Sequence, residues 1–167
     1  ADLTGDCATS SRYEDEVGGF DCMTYSLARG YLAAFDHGAD AVAPCGISWQ
    51  VARGSSAVPA GCRAAIDAEY PSPFGVPLPV NISGQTAPTK DIMLYRDNGK
   101  DKHPSPAGQY LNACVFFAMI FGESPVGAAS IAGVSADEAL GLQQVAAGVV
   151  LQHRALWFNE RSNAFYF

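Results

Sequence analysis

Basic residues are scarce in this chain: ten Lys and Arg stand against 17 Asp and Glu, for a formal charge of −7 and a pI near 4.7. No basic stripe is present to neutralise phosphates, which argues against a nucleic-acid partner. Long apolar runs are missing as well. Gly122, Gly133, Gly148 or charged residues interrupt them, and nothing approaches the ~20 residues needed to cross a bilayer, so no transmembrane segment is expected. The five cysteines, Cys7, Cys22, Cys45, Cys62 and Cys114, include no Cys-x-x-Cys pair, so zinc and redox-motif readings fail and neither metal nor cofactor is expected. No internal repeat is present. No methionine precedes Met23 and no signal-peptide pattern opens the chain, which points to a processed mature chain or a fragment.

Periodicity supplies helices more readily than strands. Helices fit residues 21–37, 61–69, 106–121 and 136–154, while only Ala39 to Pro44 and a shorter candidate, Asp91 to Tyr95, read as strands. In the first helix Met23, Leu27, Tyr31 and Phe35 recur every four residues as an apolar stripe that Gly38 closes. In the last, Ser135 and Glu138 have capping-box spacing ahead of Leu142, Val145, Ala146, Val149 and Val150. Between Gly54 and Lys90 stand Pro59, Pro71, Pro73, Pro77, Pro79 and Pro88 among serines and glycines, a long irregular excursion that suits a docking arm.

The stretch with most chemistry runs from Asp97 to Leu111. Gly99 and the alternating charges of residues 97–103 make a loop that delivers His103, flanked by carboxylates, to the start of a helix. Ser105 offers an N-cap and Pro106 a first helical residue whose missing N–H costs nothing. Tyr110, Leu111, Cys114, Val115, Ala118, Met119 and Phe121 then keep helical spacing up to Gly122, a left-handed C-cap candidate. His103 is therefore the candidate base, with Asp101 or Asp97 to orient its imidazole through a ring N–H bond. The alternative is a solvated, mixed-charge turn with an exposed histidine. His37 sits at a helix end and His153 within a helix, both ordinary places for surface histidines.

The run His103-Pro104-Ser105-Pro106-Ala107-Gly108, with Tyr110-Leu111, Ala113-Cys114-Val115-Phe116-Phe117 and Gly122-Glu123-Ser124-Pro125 after it, resembles the C-terminal block of SGNH (GDSL-type) hydrolases. There an Asp-x-x-His-Pro-Ser loop supplies the acid and base of a Ser-His-Asp triad. Phe20 to Arg53 is similar to that family's helix-strand-turn, with Tyr25, Leu27, Gly30 and Tyr31 on the helix, Ala39 to Pro44 as strand and Gly46-Ile47-Ser48-Trp49 following. Ser135-Ala136-Asp137-Glu138-Ala139, with Leu142, Gln143, Val145 and Ala146, is similar to its last helix. The resemblance spans most of residues 20–150, and only the His-Pro-Ser block is specific. It implies an α/β fold, namely the C-terminal part of a three-layer α/β/α SGNH-hydrolase-like domain with few strands in this chain.

The chain departs from the family at three places. The strand ending in Gly-Asp-Ser, which bears the nucleophile, and the Gly-x-Asn-Asp block, which helps form the oxyanion hole, are both absent. Gly5-Asp6-Cys7 mimics the first with a cysteine, but no apolar strand precedes it and the interval to His103 is too short for the missing elements. The family's aspartate position, three before the histidine, holds Lys100.

The organisation expected is thus an N-terminal extension over residues 1–19, a partial SGNH-like domain over 20–154 with the Pro-rich arm at 54–90, and an aromatic tail over 155–167. Loop positions and proximity favour bridges Cys7 to Cys22 and Cys45 to Cys62, although five cysteines permit many pairings, and Cys114 reads as a small buried hydrophobe. With the Asn81-Ile82-Ser83 sequon, disulfides favour secretion or an organelle lumen. Two functions follow. In one, His103 is the base of an esterase acting on a small acyl ester, completed by a missing N-terminal half or a partner chain. In the other, the chain is a non-catalytic structural subunit of a larger protein assembly, whose proline-rich arm and aromatic tail bind the partner.

Overall fold

The structure is a computed structural model that describes residues 19–54, 60–69, 84–85, 89–96 and 101–159. Its elements are α1 (Gly19–Ala33), a 3-10 turn (Ala34–His37), α2 (Cys45–Ala52), α3 (Ala60–Glu69), β1 (Tyr95–Arg96), β2 (Asp101–Pro104), α4 (Pro106–Phe121), α5 (Ala136–Leu151) and α6 (Arg154–Trp157). They divide between two compact units, one drawn from residues 1–42, 56–78 and 154–167 and the other from residues 43–55 and 79–153.

In the first unit α1 packs on α3. Cys22 and Cys62 join the two helices through a disulfide with 5.9 Å between Cα atoms. One turn along, the Tyr25 hydroxyl donates to Asp67 Oδ1 at 2.6 Å, and Arg29 Nε lies 3.2 Å from the same oxygen. Arg63 stacks its guanidinium over the Tyr25 ring, 5.5 Å from the centroid. Burial, then the bond to Asp67, raises the Tyr25 pKa. Ile66 is the apolar residue that α3 buries. Helix α1 accordingly buries Cys22, Tyr25, Arg29 and Leu32, spaced three or four apart, together with Phe20 and Thr24 in its first turns.

That face is not the one expected. Leu27 and Tyr31 are 51% and 60% exposed, and only Phe35 of the anticipated stripe is buried. The helix also yields at Ala34 to a 3-10 turn, which Gly38 closes at φ 90° with its N–H on the Ala34 and Phe35 carbonyls.

In the second unit α4 packs on α5, and α2 packs on both. Helix α4 keeps the anticipated ends. Ser105 Oγ accepts the Gly108 N–H at 3.1 Å, Pro106 stands in the first turn and Gly122 caps the end at φ 67°. Helix α5 begins with the expected reciprocal capping box of Ser135 and Glu138. Leu142, Val145, Ala146, Val149 and Val150 on α5, with Leu111, Val115 and Ala118 on α4, are wholly buried. Each large aliphatic among them contributes about 1.5–3 kcal/mol by burial. Between the helices, Gln143 Nε2 donates to the Tyr110 hydroxyl at 2.6 Å and to the Ala128 carbonyl at 2.9 Å, while its Oε1 accepts the Gly127 N–H at 3.0 Å. A buried carboxamide with all these partners pins the connecting loop.

The expected three-layer α/β/α architecture is overturned. Helix makes up 64% of the described residues, and their only sheet is the two-stranded β1–β2 pair, which is antiparallel. Ala39 to Pro44 forms no strand of a parallel sheet. Ala41 instead makes a single antiparallel bridge to Phe158, flanked by Val42 N–H to Trp157 O and Asn159 N–H to Asp40 O, both 2.9 Å. Asn159 Nδ2 adds bonds to the carbonyls of Phe35 and Ala39 at 3.2 Å. The Val42 N–H and the carbonyls of Ala39 and Asp40 are thus engaged by Trp157 and Asn159 rather than by a neighbouring parallel strand. Of the second candidate, Asp91 to Tyr95, only Tyr95 enters a strand. Gly46-Ile47-Ser48-Trp49, expected as a turn, lies inside α2.

The cysteine pairing is corrected as well: Cys22 bonds Cys62, and Cys45 is free. Cys7 lies outside the described residues, as do Asn81, the six prolines of the arm and Phe165 to Phe167. No helix among the described residues is long and apolar enough to cross a membrane.

Candidate functional site

His103 sits in β2, one residue before the segment that ties the hairpin to α4, and its side chain is exposed. The tie consists of backbone and hydroxyl bonds. Ser105 N–H donates to the Leu94 carbonyl at 2.8 Å, and its Oγ donates to the Met93 carbonyl at 2.6 Å while accepting from Gly108. One serine thus caps the helix and clamps the strand that leads into β1. Pro104 O accepts from Arg96 Nε and from Gln109 Nε2, each at 3.2 Å, so both flanking elements hold the peptide that follows Pro104.

Behind the hairpin stands Trp49. Its Nε1 donates to Asn112 Oδ1 of α4 at 2.8 Å, and its ring meets Tyr95 edge to face, with 4.7 Å between centroids and 70° between planes. Helix α4 approaches this ring through Gly108. A Cβ there would collide with the Leu94 carbonyl oxygen and come within 2.8 Å of Trp49 Cζ2, so glycine is required by the closeness of the two backbones. Each residue after the histidine in Pro104-Ser105-Pro106-Ala107-Gly108 therefore has a local task, whether as strand end, cap, first turn, buried small side chain or close approach.

Of the sequence-predicted acids, Asp101 opens β2, and Asp97 lies outside the described residues. His37 ends the 3-10 turn and His153 lies in the turn after α5. Cys45 and Cys114, the free cysteines among the described residues, are poor nucleophile candidates, because burial pushes both thiols up to about 11 and keeps them protonated at neutral pH. Cys114 is buried in the α4–α5 core, as its helical position implied. The hydroxyls of Ser48 and Ser105 are committed to the carbonyls of Pro44 and Met93, and Ser135 to Glu138. Among the described residues no group of three or more His, Cys, Asp and Glu side chains could hold a metal ion.

Trp49, Asn112 and Gln109 support the hairpin, and Arg96 lies within it, none of them expected from the sequence as a residue of the site. Gly108 at the third position of a helix was the available signal, since glycine there weakens a helix unless another backbone comes close. Comparison of the chain with protein-family models, with curated proteins and with solved structures gives no match.

Proposed function

We propose that this chain carries the histidine of an ester-hydrolase site, with His103 as general base and the serine nucleophile and oxyanion donors supplied by a missing N-terminal segment or a partner chain. The observation that carries the reading is an exposed imidazole at the irregular step of the β1–β2 pairing, next to anchored backbone: Pro104, which follows it, pairs with Tyr95, and the Ser105 cap holds the residue after that. A general base must meet its proton donor within hydrogen-bond reach, and a firmly held backbone limits the search for that geometry. The His-Pro-Ser resemblance supplies the reaction class. In it, His103 takes the proton of the attacking serine and returns it to the leaving alcohol, while Asp101 or Asp97 holds the imidazole tautomer. The substrate is a small acyl ester. The Cys22–Cys62 disulfide suits an oxidising compartment, and we assign the protein to the secretory route on that ground.

The reading is tested in the complete native assembly with a short-chain aryl ester. His103→Ala is expected to lower hydrolysis by on the order of 10⁴-fold, and the 167-residue chain by itself is expected to be inactive. Activity in that chain, lost on Cys7→Ala, would defeat the proposal. A structural role is the second reading, and the apolar side chains that α4 leaves exposed favour it. It takes over if the complete assembly hydrolyses no ester and if truncating the 54–90 arm or Phe165 to Phe167 releases the chain from its partner.

A further inference from the structure

Helix α4 has two apolar faces, and among the described residues it packs only one. Leu111, Cys114, Val115, Ala118 and Met119 are buried, whereas Phe116, Phe117, Ile120 and Phe121 are 50%, 37%, 71% and 63% exposed. The exposed four lie at i, i+1, i+4 and i+5 and form one patch over the last turn and a half of the helix. The rings of Phe117 and Phe121 rest against each other with 5.0 Å between centroids. We propose that this patch is a self-association surface, on which a second copy of the chain docks with the same four residues about a two-fold axis.

Area and charge both point to that occupant. With a fully exposed aromatic side chain presenting about 200 Å², the four exposures sum to roughly 400 Å² of apolar surface per copy. A symmetric pair would then cover about 800 Å², which at the usual apolar share of about 65% corresponds to an interface near 1,200 Å². That is the low end for a specific protein contact. A chain of net charge −7 repels its own copy over most of its surface, but Pro106–Phe121 contains no charged residue at all. The helix itself therefore brings no like charges together in such a pair, the exposed Glu123 two residues beyond Phe121 being the acidic group that follows it, and an isologous contact closes at two. The inference stands independently of the esterase reading.

Sedimentation equilibrium of the whole chain tests it. The mass is expected to move from 17.5 kDa to twice that across the micromolar range and to stop there. Ile120→Asp and Phe121→Asp, both at solvent-exposed positions, are each expected to weaken the dimer at least tenfold with an unchanged helical circular dichroism spectrum. Leu27→Asp, an equally exposed apolar position on α1, is the control and should leave the association intact. A monomer at all concentrations up to 200 µM would overturn the proposal. So would a mass that climbs past the dimer without a plateau, or a dimer that survives both α4 substitutions.

Discussion

In the unit that contains α1 and α3, the two helices meet through a disulfide, a tyrosine–aspartate bond and an arginine on the same carboxylate, around one buried isoleucine. In the unit that contains α4 and α5, the helices meet through a continuous aliphatic seam, each with a side-chain cap at its start. The difference follows from composition. Helix α3, Ala-Gly-Cys-Arg-Ala-Ala-Ile-Asp-Ala-Glu, offers a single large aliphatic, so burial alone cannot offset the entropy of ordering it and a covalent tie replaces the missing apolar area. Helices α4 and α5 carry enough Leu, Val and Met to dispense with one.

Reducing the first unit's tie should produce the largest effect. The Cys22–Cys62 bridge spans 40 residues, a loop whose closure entropy corresponds to about 4 kcal/mol. Cys62→Ser is expected to destabilise α3 by that order and to leave α4 and α5 protected, which hydrogen exchange resolved by residue would detect. Equal loss of protection in both units would show that the contrast is not real. The matching perturbation in the second unit is Gly108→Val. Its side chain meets the Leu94 carbonyl and the Trp49 ring, and backbone cannot step aside cheaply, so a cost of about 3 kcal/mol is expected in denaturant unfolding. The Trp49 fluorescence should change with it. A variant as stable as the parent would mean that the hairpin is not seated on α4.

The smallest effects belong to the caps. Ser135→Ala should cost about 1 kcal/mol at neutral pH. Bonds from the Ser135 N–H and hydroxyl hold the Glu138 carboxyl below its ordinary pKa. A carboxyl depressed in the folded state stabilises above its unfolded pKa, about 4.3, and that contribution fades as pH falls through the lower folded value. Because Glu138 is largely solvated, Glu138→Gln should cost less than Ser135→Ala. The gap between parent and variant should narrow as the carboxyl is protonated on acidification, as read from urea midpoints. A gap of the same size at every acidic pH would mean that the capping box does not depend on the ionised carboxylate.

The hairpin shows how far a local pattern carries. Ser105, Pro106 and Gly122 bracket α4 within a residue of where the amino-acid order puts the ends, and His103 precedes the helix as expected. The supporting wall of Trp49, Tyr95 and Asn112 was not legible, because Trp49 reaches Asn112 across 63 residues and no spacing rule links them. The expected stripe on α1 failed for a related reason. Met23, Leu27, Tyr31 and Phe35 satisfy a helical period as well as Cys22, Tyr25, Arg29 and Leu32 do. Choosing between the two faces requires knowing that Cys62 and Asp67 stand opposite the second.

Amino-acid order by itself determined where α3, α4 and α5 begin, where α4 and α5 are capped, which residues of α4 and α5 form the seam, and that the chain is acidic. Caps and periodicity act across three or four residues, a range within which side chain and backbone meet whatever the rest of the chain does. Tertiary structure alone decided the Cys22–Cys62 pairing, the buried face of α1 and the fate of Ala39 to Pro44. Instead of a strand in a parallel sheet, that segment became a single antiparallel bridge, because Trp157 and Asn159, more than a hundred residues later, engage part of its backbone. Contacts at such separations are selected by the whole set of surfaces the chain must bury, and no short window of sequence contains that set.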